Sequence, residues 1–245
     1  MENLAIEVQN LSKKMKENEA LRGISLNFKP HIMHGVIGPE GAGKTTLLRT
    51  LLGLLKPDQG EVKFFNETQT LNFADLRPHI AYMPQTQSLY PDLSIDEHLD
   101  FFRHLYDLPL DVFNERKERL LKITRLEEFT DRLASKLSGG MYKKLGLICS
   151  LLHEPKLLLL DEPTNGVDPI SRRDFWDLLY HLEDQGMLII VTTAYMDEAE
   201  RCKEVHLLSE GECIGEGEPL DLLNQKHCRT FDELFLKMGG HNEGR

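Results

Sequence analysis

The run Gly38-Pro39-Glu40-Gly41-Ala42-Gly43-Lys44-Thr45 puts a lysine and a hydroxyl directly behind a glycine-rich turn, the residue types that hold a polyphosphate. Its glycines let backbone N–H groups turn inward around phosphate oxygens, and a helix starting there presents its positive end to the same charge. In this pattern Lys44 neutralises the β- and γ-phosphates of a nucleoside triphosphate, Thr45 offers its hydroxyl to Mg2+, and Thr46 follows as a further binding position. Mg2+ keeps several waters and takes few protein ligands, so one hydroxyl and one carboxylate are enough to place it. Carboxylates stand at Asp161 and Glu162, where Leu157-Leu158-Leu159-Leu160 would carry them to the carboxyl end of a buried strand. Asp161 suits the Mg2+, directly or through water, and Glu162 can polarise a water that attacks the γ-phosphate.

These groups need elements to hold them. Met33 to Ile37 reads as the strand entering the glycine loop, and TTLLRTLLGLL as the helix leaving it, ending near Lys56-Pro57. Leu4 to Val8, Ile24 to Phe28 and Gly60 to Phe65 are short, partly alternating runs suited to a small antiparallel sheet. From Tyr90 to Leu152 the pattern is helical, with Ile95 to Leu105 and Asn114 to Ile123 carrying periodic apolar residues under a charged face. Leu157 to Asp161 and Leu188 to Thr192, separated by the amphipathic stretch Ile170 to Gln185, read as a β-α-β unit of a parallel sheet.

The bulk numbers narrow the class. At 245 residues and 40% hydrophobic content the chain can bury one sizeable core with a satellite lobe. Its apolar runs fall far short of the ~18 residues that a membrane span needs. MENLAIEVQN has no basic leader before an apolar stretch, so neither a secretory signal nor a transit peptide is expected, and the protein is placed in the cytosol. The 4 cysteines and 10 histidines are dispersed without ligand spacing, His31 and His34 included, so a metal site built from them is not expected. A net charge of -11 argues against a nucleic-acid partner.

Leu137-Ser138-Gly139-Gly140-Met141, ahead of the acidic pair, resembles the signature loop of ATP-binding-cassette proteins. Gln85 in YMPQ resembles the family's glutamine loop, and Asn165-Gly166-Val167-Asp168 its loop at the dimer interface; the motifs run in family order from Ile6 to about Met238. The resemblance implies one nucleotide-binding domain over residues 1–245, an α/β phosphate-loop NTPase with a RecA-like, mostly parallel sheet. A small antiparallel β subdomain and a helical signature subdomain at about 87–152 complete the implied fold. ATP and Mg2+ would be the cofactors, with Glu162, Gln85 and Lys44 catalytic and Thr45, Gln85 and Asp161 at the metal. A second cassette, of the same or another chain, would close each ATP with Ser138, Gly139 and Gly140, whose position at a helix start also suits a cap. A separate transmembrane permease would be the other partner, with the chain peripheral on the cytoplasmic face. TTAYMDEAERC and TFDELFLKM look most like exporter-type ATPases with separate membrane subunits.

Three positions depart from that pattern. Ala194 stands where the family normally has a histidine after the last core strand, Met141 replaces the usual glutamine after the signature, and Met15 takes the place of an adenine-stacking aromatic. A methyl group cannot donate to a γ-phosphate, and loss of such a group costs ~10² or more in turnover. The expectation is normal ATP binding with slow hydrolysis, or one weak site opposite a more active partner; a gating cassette with vestigial hydrolysis is the alternative. Soluble relatives that act on DNA or ribosomes usually add coiled coils or a second cassette, and a kinase or GTPase leaves LSGG unexplained.

Overall fold

The computed structural model describes residues 3–67, 69–86 and 89–239; the expected lobe's first two residues, Gln87 and Ser88, lie outside these, as do the ends of the 1–245 span. Strands β1 (Ala5–Met15) and β2 (Asn18–Phe28) form a long hairpin, followed by β3 (Met33–Ile37) and helix α1 (Lys44–Leu51). Then come β4 (Gln59–Phe65), β5 (Thr70–Leu71), the short α2 (Phe73–Leu76) and β6 (Ile80–Met83). Helices α3 (Ile95–Leu105), α4 (Leu110–Thr124) and α5 (Gly139–Leu151) follow, before β7 (Leu157–Asp161), α6 (Pro169–Asp184) and β8 (Leu188–Thr193). The chain closes with β9 (Glu204–Ser209), β10 (Glu212–Gly217), α7 (Pro219–Gln225) and α8 (Phe231–Gly239).

Two sheets result. One is antiparallel, in order β2-β1-β4-β5; the other runs β10-β9-β3-β8-β7-β6 and is parallel except for the β10 edge. β3, β7 and β8 are buried at every position, as a parallel strand covered on both faces must be. Their alternation divides two cores. Leu158 and Leu160 of β7, with Ile189 and Val191 of β8, pack toward α3 to α6, whereas Leu157, Leu159, Leu188 and Ile190 pack toward α1 and the antiparallel sheet. The register pairs Ile37 with Thr193 and Asp161 with Thr192, so the carboxyl ends of β3, β8 and β7 finish along one edge. This is a phosphate-loop NTPase fold with an antiparallel β layer and a helical lobe.

Several bounds differ from the sequence reading for identifiable reasons. β1 and β2 run longer than Leu4–Val8 and Ile24–Phe28 because register shifts after Val8 and Leu11 absorb the polar residues without breaking the ladder. α1 stops at Leu51, short of Lys56-Pro57, because Gly53 takes a positive φ of 66°, at a position where a Cβ would lie 2.9 Å from Phe73 Cε1. β6, β9 and β10 are short edge or near-edge strands that periodicity alone did not single out. His31 lies outside β3, in a left-handed turn at φ 59°.

His34, by contrast, is wholly buried within β3. The Lys29 carbonyl 3.1 Å from its Nε2 can only accept, so that nitrogen carries the proton, and Nδ1 lies 3.2 Å from His206 Nε2, while His206 Nδ1 faces the Glu216 carboxylate at 3.3 Å. Burial, and then the neighbouring His206, lower the His34 pKa to about 3. The folded state thus takes up this proton far less readily than the unfolded chain, and stability present above about 6.5 is lost as pH falls toward 3. Urea unfolding should show roughly 1 to 2 kcal/mol less stability at pH 5 than at pH 7 from this residue. His34→Phe, though weaker at pH 7, should lose less over that interval; an equal loss in both proteins would contradict the assignment.

Candidate functional site

The glycine loop is shaped by what its neighbours leave no room for. Gly43 sits at φ 103°, and a Cβ there would lie 2.3 Å from the Ala20 carbonyl oxygen, so the β2 edge admits only glycine. It caps α1 without a side chain, which keeps the helix's first N–H groups facing outward. Lys44, buried, donates to Gly38 O at 2.7 Å and Pro39 O at 2.9 Å and pairs with Glu162 Oε1 at 3.1 Å. Three ammonium protons thus meet three acceptors.

The acidic pair is held from several sides. Asp161 accepts from Thr45 Oγ1 at 3.1 Å, Thr192 Oγ1 at 2.8 Å and Tyr82 Oη at 3.3 Å. Burial, and then the Asp161 charge, raise the Tyr82 pKa, so the phenol remains a donor. Glu162 turns out of β7 at φ 47°, a left-handed conformation costly for a side chain of this kind, and Gln85 Nε2 donates to its Oε2 at 2.8 Å. Asn165 Nδ2 stands 3.4 Å from the same oxygen.

Thr192 was not singled out from sequence, although it serves both acids: its hydroxyl donates to Asp161 and accepts from the Glu162 N–H at 3.0 Å. Lys143 on α5 was missed as well. Its ammonium donates to the Gln85 carbonyl at 3.2 Å and ties the helical lobe to that loop; burial lowers its pKa against the opposing pull of Glu162 and Asp161. A cleft of about 720 Å³ opens on these groups, lined by Met15, Asn18 and Arg22 of the β1-β2 hairpin, by Gly41 to Thr46, and by Gln85 and Glu162.

Pro39 and Glu40 are exposed, with Glu40 in the cleft wall; Ala42 is buried and also lines the cleft, while the buried Gly38 does not. Lys44, Thr45, Gln85, Asp161 and Glu162 are thus brought together. Ser138, Gly139 and Gly140 are not among the cleft's lining. Ser138 caps α5, accepting from Met141 N at 3.3 Å, and is exposed with Gly139; Gly140 is buried so closely on α6 that a Cβ would lie 2.5 Å from Ser171 Oγ. Hard oxygen donors, the Thr45 hydroxyl touching the Asp161 carboxylate, fit the preference of Mg2+, whereas Gln85 contacts Glu162 rather than Asp161.

Known proteins share this framework. The profile of the family described as ABC transporter matches residues 21–165. A probable multidrug ABC transporter ATP-binding protein, YbhF, of Escherichia coli is 43% identical over 94% of this chain, which spans 40% of that protein's length. The Nod factor export ATP-binding protein I of Ralstonia nicotianae is 36% identical over 90% of this chain and 69% of its own. Among solved structures, one titled as the ATP binding subunit of an ABC transporter superposes with a TM-score of 0.81 at 29% identity, covering 96% of this chain and 99% of that one.

The shared hydroxyl gives a direct test. Thr192→Val keeps the shape but removes one donor to the Asp161 carboxylate and the side-chain acceptor of the Glu162 N–H, whose bond to the Thr192 carbonyl at 3.1 Å remains; it should cost about 1 to 3 kcal/mol in urea unfolding, while Thr192→Ser should cost under about 1 kcal/mol. Equal stability of the two variants would contradict this role for the hydroxyl.

Proposed function

The chain belongs to the ABC transporter family as an ATP-binding domain, and from that premise we propose that it hydrolyses ATP in a dimer of cassettes and drives a separate transmembrane permease. The observation that carries this reading is the separation within one chain: the phosphate loop and both carboxylates meet in the cleft, while the exposed Ser138 and Gly139 start another helix away from it. A second cassette, related head to tail, supplies that helix N-terminus to the γ-phosphate. Export fits the names of the multidrug and Nod factor relatives. No helix among the described residues is long and apolar enough to cross a membrane, which fits a subunit docked to a permease on its cytoplasmic face.

In this reading ATP lies along the cleft, its base toward Met15 and its phosphates on the loop from Gly38 to Thr46. Bound Mg2+, held by Thr45 and Asp161 with Gln85 nearby, would supply charge neutralisation at the β- and γ-oxygens. Lys44 exchanges carbonyl and carboxylate acceptors for phosphate oxygens, which frees Glu162 while Gln85 still donates to it. Glu162 takes a proton from water as that oxygen bonds to the γ-phosphorus; the bond to the β-bridging oxygen breaks, giving ADP and phosphate.

Ala194, half-buried between Thr193 and Tyr195, brings no donor to the γ-phosphate, which favours slow turnover and keeps a gating cassette as the second reading. Glu162→Gln separates the two. With MgATP it should shift the protein to a dimer by light scattering, lower hydrolysis at least ~100-fold and abolish transport. A strictly monomeric variant would refute the sandwich, and unchanged transport would favour gating. Ala194→His should raise turnover ~10-fold or more; no gain would contradict the reason given for slow hydrolysis.

A further inference from the structure

Behind the carboxylate pair stands a polar cluster that the reaction above leaves unused. Glu198, in the 3-10 turn Met196–Arg201, is wholly buried, and its carboxylate accepts from Thr164 Oγ1 at 2.8 and 3.1 Å and from Trp176 Nε1 at 3.1 Å. A buried carboxylate also calls for a cation. Arg172, in the first turn of α6, provides one: its Nε lies 3.7 Å from Glu198 Oε1, too far for a hydrogen bond, and this buried nitrogen has no hydrogen-bond partner. The guanidinium is drawn instead onto an aromatic face, with its carbon 4.2 Å from the Tyr195 ring centroid.

Tyr195 is thereby pinned in the turn that follows β8, with its N–H donating to Thr193 Oγ1 at 3.0 Å. Its hydroxyl reaches Asn165 Oδ1 at 3.4 Å, and the other end of that amide, Nδ2, faces Glu162 Oε2 at 3.4 Å. A carboxylate can only accept, so Glu162 requires the amide nitrogen of Asn165 on its side, and the Tyr195 phenol donates to the amide oxygen that this orientation leaves facing it. When Lys44 turns to the phosphates, Gln85 and Asn165 are the donors left on Glu162.

We propose that Tyr195, clamped by Arg172 and Glu198, is a positioning residue that holds the Asn165 amide toward the Glu162 carboxylate. It works beside Ala194, whose methyl has no polar atom to offer. The inference rests on Glu162 being the base, and its own failure can be told apart from the failure of that reading.

Steady-state ATP hydrolysis by the full-length protein with its permease, read as kcat and KM separately, tests it. Tyr195→Phe removes only the hydroxyl and keeps the ring under Arg172. It should lower kcat roughly fivefold to tenfold, the scale of one net hydrogen bond, with KM within about twofold and Tm unchanged. Tyr195→Leu should cost more, since Arg172 loses its platform as well. In an Ala194→His background the loss from Tyr195→Phe should shrink below about twofold, because a second side chain then orders the reacting water. A Tyr195→Phe kcat equal to wild type, or a loss that tracks a fall in Tm, would overturn the positioning role and leave the base assignment intact. Turnover unaffected by Glu162→Gln would overturn both.

Discussion

Two adjacent carboxylates buried at the end of a strand covered on both faces are the constraint around which this molecule is arranged. Each ionised group withdrawn from water costs several kcal/mol unless donors or cations replace the lost hydration. Asp161 and Glu162 are 1% and 7% exposed, and their replacements come from Thr45 and Lys44 after β3, Tyr82 and Gln85 around β6, and Thr192 in β8. The strand order β3-β8-β7-β6 is what makes this possible, because it sets β8 between the phosphate loop and the acids and β6 on their other side.

The same arrangement explains what could be read from sequence. The glycine loop and the acidic pair are legible because their chemistry lies in residues adjacent along the chain, and β3, β7 and β8 because strands buried on both faces are unbroken apolar runs. Thr192 lay inside one such run and was counted only as strand; a threonine at the carboxyl end, in register with the first acid, is the signal that would have found it. Lys143 and Glu198 gave less warning. Each sits in a charged helical or turn stretch resembling a solvated face, and only the packing of α5 on the Gln85 loop and of α6 on the turn after β8 turns them inward. The β1-β2 hairpin exceeded its expected length because bulges carry a ladder across residues that break a strict alternation.

Ser138 and Gly139 show the reverse case, a motif legible in sequence whose place in the fold is meaningful because it stands apart. The N-terminus of α5 is exposed, yet Gly140 leaves no space between α5 and Ser171 at the start of α6. That second helix begins just after Asn165, and its first turn carries Arg172. The surface that the proposed dimer would use and the groups behind Glu162 therefore adjoin each other at one corner of the fold.

If each cleft is completed by the neighbouring copy, two differently disabled proteins can repair each other. Lys44→Ala removes the phosphate loop's cation, and Ser138→Arg blocks the loop offered across the interface; each homodimer then has two broken sites. A dimer of one with the other has one site broken twice and one intact. Mixing the two full-length variants with MgATP under conditions that exchange subunits should restore roughly a quarter of wild-type turnover, as statistical pairing in a two-fold assembly requires. No recovery, with exchange confirmed by a labelled subunit, would contradict the shared site.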